Sequence, residues 1–349
     1  MAVWLMRVGK HGEYEDKFLQ TSRAYLTWHG LNHDLSHVKD KTELREVLRS
    51  TYPDAPPGRL SNFTGQIWPF AKEMADGDWL MVPSKKKSAI HIAEIAGNYA
   101  FDANATDPFH HTRPLKWIAT DVPRSNFDQD LLFSMGAVQT ICEIQRHDAE
   151  KRIRAMGLSG WKSSPSNSTA APMSGSGSSD TSPPGEAIDL EERGRDQIAQ
   201  LISHHFQGHD LTRLVDAILR AQGYFTYRSP PGPDKGIDIL AAPAPLGFGE
   251  PRICVQVKSG DTPVDAPTLN QLIGAMQNVH ASQGLLVSWG GFKSSVDKEI
   301  PAQFFRVRMW DQKVLINELL AHYDKLDEDV RAELPLKRIW TIATDDVEE

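Results

Sequence analysis

Ile253-Cys254-Val255-Gln256-Val257-Lys258 is the stretch on which the reading of this chain turns. Side chains alternate along a strand. Ile253, Val255 and Val257 therefore face one way, into a core, and Cys254, Gln256 and Lys258 face the other. A glutamine and a lysine two residues apart thus leave the same face of an apolar strand, where lysine is costly to bury without a partner. Upstream, Lys235-Gly236-Ile237-Asp238-Ile239-Leu240 sets one aspartate in a short apolar run, with Ile237 and Ile239 turned opposite to it. If the two runs pair as a hairpin, Asp238 lies beside Gln256 and Lys258. That trio suits phosphodiester hydrolysis. Asp238 would hold Mg²⁺, a hard ion that prefers oxygen, and the Gln256 side-chain carbonyl and Val257 backbone carbonyl would complete the protein's share of the shell. The ion would acidify a bound water and offset charge building on the phosphate. Lys258 would orient that water, help deprotonate it, or stabilise the pentacovalent oxyanion.

Around these strands the pattern is regular. Asp210 caps a helix with Leu211, Leu214, Val215, Ile218 and Leu219 at helical spacing, and Gly223 stops it. Strands follow at Tyr224–Arg228, Ile237–Ala241 and Ile253–Ser259. Next come a helix carrying Leu269, Leu272, Ile273 and Met276, a strand Leu285–Trp289, a strand Phe305–Trp310 and a helix Lys313–Tyr323. This order of helices and strands implies a central mixed sheet with helices on both faces.

Ahead of this lies a Ser/Gly/Pro-rich segment, 159–185, whose composition cannot offset its ordering entropy and reads as a flexible linker. It separates a first domain, 1–158, from a second, 186–325, with an acidic tail at 326–349. In the first domain, Asn62 caps a helix with Phe63, Ile67, Phe70, Ala71 and Met74 on one face. Gly77-Asp78 turns the chain into strand Trp79–Pro83, followed by strands Ile90–Ile95 and Leu115–Ala119 and a helix near Asp148–Met156. Short strands with few long helices suggest a small barrel-like sheet. The 349 residues fit two domains.

The net charge of −8 argues against a protein that coats nucleic acid without selectivity. Residues 1–155 carry 20 charges of each sign, so the excess falls in the remainder and its tail. No apolar run reaches the roughly 18–20 residues of a membrane span, and the N-terminus lacks a signal-peptide pattern, so the chain is expected to be cytoplasmic. Two distant cysteines, Cys142 and Cys254, predict neither a disulfide nor a zinc site. His204, His205 and His209 lack partners at metal-binding spacing.

Gly236-Ile237-Asp238-Ile239 followed by Gln256-Val257-Lys258-Ser259 resembles the Mrr-type catalytic domain of the PD-(D/E)xK nucleases, in which glutamine commonly replaces the usual acid. Leu285-Leu286-Val287-Ser288-Trp289-Gly290-Gly291-Phe292 is similar to that family's strand and Gly-Phe turn. The resemblance covers about 205–323. It implies a restriction-endonuclease-like fold and a Mg²⁺-dependent endonuclease acting on double-stranded DNA, with Mn²⁺ able to stand in. Asp238, Gln256 and Lys258 would be catalytic. An acid on the preceding helix often assists in the family, and Asp210 or Asp216 is available.

Gly77-Asp78-Trp79-Leu80-Met81-Val82-Pro83 with Ile92-Ala93-Glu94-Ile95-Ala96-Gly97-Asn98-Tyr99 looks similar to the EVE and wider PUA-like group. That resemblance implies a β-barrel with helices that recognises modified bases in an aromatic pocket. Trp28, Trp68, Trp79 and Trp117 are its candidate walls, and Lys85, Lys86, Lys87, Arg113 and Lys116 its candidate phosphate contacts. A reader tethered to a cutter resembles modification-dependent (type IV) restriction enzymes that defend against foreign DNA. Cutting two strands needs two sites, so a homodimer or DNA-induced pairing is expected. Two other readings stay open. One is a nuclease gated by a small nucleotide signal on the first domain. The other is a non-cleaving DNA-binding module, favoured by Gln256 in place of an acid.

Overall fold

Both faces of the first domain's central strands are apolar, and a strand buried on two faces needs a helix layer on each. In the computed structural model, which describes residues 1–137, 139–161, 189–230, 236–243 and 245–340, this is what forms. The chain divides into a first compact unit up to Arg193 and a second from Gly194.

The first unit contains β1 (Val3–Met6), α1 (Glu15–Thr21), β2 (Arg23–Tyr25), α2 (Lys41–Thr51), α3 (Pro57–Trp68), β3 (Trp79–Pro83), β4 (Ala89–Ile95), β5 (Ala100–Phe101), β6 (His111–Pro123), α4 (Gln129–Met135), β7 (Ile141–Glu143) and α5 (Ala149–Leu158). Its sheet runs β2-β6-β4-β3-β1-β7, with β5 on β6. Trp4 and Met6 of β1 join a core with Phe18, Leu44, Leu48, Phe63 and Ile67 of α1–α3. Val3 and Leu5 join a second core with Leu131, Met135 and Ile153 of α4 and α5. Among the described pairings β2 and β7 end the ladder, so the expected barrel is an open half-barrel with helices on both faces. Asn62 does not start a helix. Proline at the first turn starts α3 at Pro57, because its missing N–H is not needed there, and Asn62 lies within it. Gly77-Asp78 does turn into β3. Gly77 has φ +86°, and the buried Asp78 carboxylate accepts from Ala2 N at 2.7 Å, Trp4 Nε1 at 3.1 Å and Ala75 N at 3.0 Å.

A buried histidine ties this unit together. His111 Nε2 donates to Leu31 O at 2.6 Å, and Nδ1 accepts from the Tyr99 hydroxyl at 2.7 Å. Burial pushes its pKa down to about 4, so it folds neutral. The unfolded chain binds its proton near 6.5 and the folded one only near 4, so stability is lost as pH falls through that window. Denaturant unfolding of the full chain between pH 7 and 4 is expected to show a loss of about 2 kcal/mol that His111→Gln removes.

Of the expected linker, 162–185 lie outside the described residues. Residues 159–161 are described, and Trp161 packs on Trp79 and Phe127. The second unit opens with α6 (Leu190–His205), whose residues through Arg193 group with the first unit. Then come α7 (His209–Ala221), β8 (Phe225–Arg228), β9 (Ile239–Ala242), β10 (Ile253–Lys258), α8 (Ala266–Asn278), β11 (Gln283–Ser288), α9 (Ser294–Asp297), α10 (Ile300–Gln303), β12 (Val307–Trp310), α11 (Gln312–His322) and α12 (Glu328–Glu333). The sheet order is β12-β11-β10-β9-β8. β8, β9 and β10 pair antiparallel, and β10, β11 and β12 pair parallel. Val255 and Val257 face a core with α6, α7 and α11, while Cys254 faces one with Leu269, Leu272 and Met276 of α8. This is the mixed, two-faced sheet read from the sequence.

The span expected as an acidic tail begins with packed chain. Leu326, Val330 and Leu334, spaced by four around α12, are buried in the second unit's core. Residues 341–349 lie outside the described residues. No described helix is long and apolar enough to cross a membrane.

Candidate active site

The hairpin that would unite the key residues is present. Val255 pairs with Ile239 and Cys254 with Leu240. β9 begins one residue after Asp238, whose N–H donates to Val255 O at 2.9 Å. The backbone ladder stops there, and the Asp238 side chain takes over. Its Oδ2 accepts from Val257 N at 2.7 Å. In a strand the N–H and C=O of one residue point to the same side, so the Val257 carbonyl lies on the Asp238 edge of β10. The carboxylate is therefore held at the residue between Gln256 and Lys258, on the strand where both project from one face.

Gln256 is 2% exposed, and its Oε1 has no hydrogen-bond partner among the described residues. A buried carbonyl oxygen left unpaired is costly, and such an orphan is expected where an ion or water belongs. Lys258 is half-buried at the end of β10, aligned with Ser288 of β11, and its backbone carbonyl accepts from Trp289 N at 2.9 Å. Burial, reinforced by the charge of Asp238, pushes the Cys254 thiol up to about 11, so this cysteine is a buried hydrophobe beside the carboxylate. The donors that this stretch offers are one carboxylate, one carboxamide oxygen and one backbone carbonyl. An all-oxygen set fits a hard divalent ion such as Mg²⁺ or Mn²⁺ better than zinc. No cluster of three His, Cys, Asp or Glu residues with metal-binding geometry occurs among the described residues.

Asp210 is not the helix cap. Gly208, at φ +59°, occupies that position, and Asp210 sits in the first turn. Its carboxylate is 3.5 Å from Arg213 Nε, and Arg213 grips Glu333 at 2.6 Å. Asp216 is buried on α7, 3.3 Å from Arg220 Nε.

The four tryptophans do not form one cage. Trp28 is buried in the α1–α3 core, edge-on to Phe63, and Trp68 and Trp117 pack on the same core. Trp79 lies on the other face of the sheet, against Trp161 and with the Arg154 guanidinium 4.6 Å from its ring centroid. The alternation of β3 sends its neighbour Leu80 to the first core and Trp79 to the second.

Arg113 is no phosphate contact. It is 3% exposed, and its guanidinium donates to Phe70 O at 2.6 Å, Gly97 O at 3.2 Å and Ala71 O at 3.4 Å. It satisfies the carbonyls of Phe70 and Ala71 in the wider turn that follows α3, and that of Gly97 after β4. Burial lowers its pKa to about 10. Lys85, Lys86 and Lys87 each face carboxylates: Glu192 at 3.4 Å, Asp16 at 2.8 Å and Asp121 at 3.4 Å. Lys116 is exposed on β6.

One cluster went unread in the sequence. Glu192 at the start of α6 is ringed by Arg124 at 2.9 Å, Arg7 at 3.1 Å and Lys85 at 3.4 Å. These cations outweigh burial and hold its carboxyl down at about 2.

None of the curated proteins matches this chain. Residues 4–144 match a domain of unknown function, DUF8426. Among solved structures, the DNA modification-dependent restriction endonuclease AspBHI is 13% identical, with a TM-score of 0.33, over 81% of this chain and 74% of its own. The MspJI restriction endonuclease in complex with a 27-mer oligonucleotide is 14% identical, with a TM-score of 0.30, over 90% and 73%. Residues 203–319, which contain Asp238, Gln256 and Lys258, match the restriction endonuclease family Mrr_cat, so the C-terminal part of the chain carries a restriction-endonuclease domain.

Proposed function

We propose that this protein is a cytoplasmic, Mg²⁺-dependent endodeoxyribonuclease of the modification-dependent kind, cutting foreign double-stranded DNA at the Asp238–Gln256–Lys258 site. The observation that carries this reading is the 2.7 Å bond from Val257 N to Asp238 Oδ2, which sets the carboxylate between Gln256 and Lys258. The orphan Gln256 Oε1 and the family match over 203–319 support it. Asp238, Gln256 Oε1 and the Val257 carbonyl would hold the ion. When bound, a divalent cation supplies Lewis acidity that acidifies water and offsets phosphate charge. Asp238 is fixed by the Val257 amide and spends no rotamer freedom when it ligates. Lys258 places an ammonium beside the scissile phosphate, where it orients the attacking water and stabilises negative charge growing on the phosphoryl oxygens. The surrounding cores on both faces of β10 keep the site rigid.

The first unit is proposed to be an EVE/PUA-like reader of modified bases. Its Gly77-Asp78 turn into β3 supports this, and the half-buried Trp68 and Trp117, which pack on one core, are its aromatic side chains of interest. Two copies, or pairing on DNA, would bring the second active site that a double-strand cut needs. The test is cleavage of a supercoiled plasmid with Mg²⁺, unmodified against methylated or hydroxymethylated. Cutting of modified plasmid alone is expected. Equal cutting of both would remove the reader. No cutting of either would leave a binding module, or a nuclease waiting on a nucleotide signal.

A further inference from the structure

We infer that Gly236 is a positioning residue for Gln256: the lack of a side chain at 236 lets the carboxamide nitrogen lie against the 236 backbone and turns the oxygen away as a ligand. This rests on the reading of Asp238, Gln256 and Lys258 as the cleavage site. A carboxamide has two unlike ends. The NH₂ end only donates and repels a cation, whereas the oxygen end accepts and can ligate. A glutamine serves such a site only if something chooses which end faces it. A carboxylate would need no such choice, since both its ends are oxygen.

Three observations converge on Gly236. It has φ +80°, a left-handed conformation that disfavours any residue with a β-carbon. A β-carbon there would stand 3.0 Å from Gln256 Nε2 and 3.8 Å from Cδ, while Oε1 lies beyond 4 Å. Finally, Oε1 is the end left buried and unpartnered among the described residues. The nitrogen end therefore occupies the space a side chain at 236 would need. A β-carbon there would press on the amide nitrogen, and at a strand position that is 2% exposed the close packing leaves little room for the amide to give way. Gly236 also lies two residues before Asp238, so one short segment supplies the acid and seats the glutamine.

Gly236→Ala in the full-length protein tests this, with Gly223→Ala as the control for backbone strain. Gly223 has φ +98° and nothing within 4 Å of an added β-carbon. Calorimetric titration with Mg²⁺, without DNA, is expected to show about a tenfold weaker affinity in Gly236→Ala, as for loss of an outer partner of a metal ligand, and none in Gly223→Ala. Stability supplies the second readout. Gln256→Ala removes the group that the added methyl at 236 would strike, so it should relieve part of the destabilisation caused by Gly236→Ala. Should Gly236→Ala alone fail to fold, the double variant should still fold. Wild-type Mg²⁺ affinity in Gly236→Ala, or no relief from Gln256→Ala, overturns the inference. If the wild type binds no Mg²⁺, the reading of the site fails, and the stability coupling between 236 and 256 still decides whether Gly236 seats Gln256.

Discussion

Replacing Lys258 with alanine is expected to lower DNA cleavage by about a hundred- to a thousandfold, the range for removing one preorganised donor that stabilises transition-state charge. The fold should survive. Lys258 is half-buried at the end of β10, and the ladder around it is made by its backbone, whose carbonyl accepts from Trp289 N. Melting should therefore shift little, and affinity for DNA should fall only as far as the loss of one phosphate contact dictates. That split, with turnover lost and binding retained, separates a charge-stabilising lysine from a merely structural one. A cleavage rate within a few-fold of wild type would take Lys258 out of the chemistry.

The second large effect concerns folding. Glu192→Gln is expected to destabilise the protein by about 3 kcal/mol, because it removes the carboxylate charge that Arg7, Arg124 and Lys85 share. The same cluster sets a pH dependence. An ordinary glutamate titrates near 4.5 and this one at about 2, so the folded chain releases its proton more readily than the unfolded one. The contribution is complete above pH 4.5 and is lost as pH falls toward 2. It lies mostly below the His111 window, so stability should fall with acid in two partly overlapping stages, with the lower one absent in Glu192→Gln. Denaturant midpoints measured from pH 7 to pH 2 in both proteins would show this, and equal midpoints at neutral pH would contradict the ion cluster.

Local periodicity made the second unit legible. Alternation in Ile253–Lys258 separated Val255 and Val257 from Cys254 and Gln256 before any contact was known, and the helical spacing of Leu211 to Leu219 placed α7. What escaped depends on long-range partners. The first turns of α6 are polar, and the glutamate that fixes them finds its cations far away along the chain. Arg113 reads as a surface cation until the carbonyls of Phe70, Ala71 and Gly97 are seen around it. Trp28 lies in a loop, where no period tells which face it joins, although the alternation of β3 already separates Trp79 from its neighbours. Leu326, Val330 and Leu334 had a readable spacing of four, but the acidic residues between them invited a reading by charge alone. At the site, the sequence placed Asp238 beside β10 on the condition that the two runs pair as a hairpin, and they do. The termination of β9 at Ile239, which frees Val257 N for the Asp238 carboxylate, was not legible there.

The most direct measurement is cleavage of modified supercoiled plasmid by wild type and by Asp238→Ala across a Mg²⁺ titration, with folding of both checked by denaturant. The wild type should cut in proportion to Mg²⁺ occupancy and stop when the ion is chelated, and Asp238→Ala should remain folded and not cut at any Mg²⁺ concentration. Cleavage by folded Asp238→Ala at the wild-type rate would contradict the central claim and place the active site elsewhere in the chain.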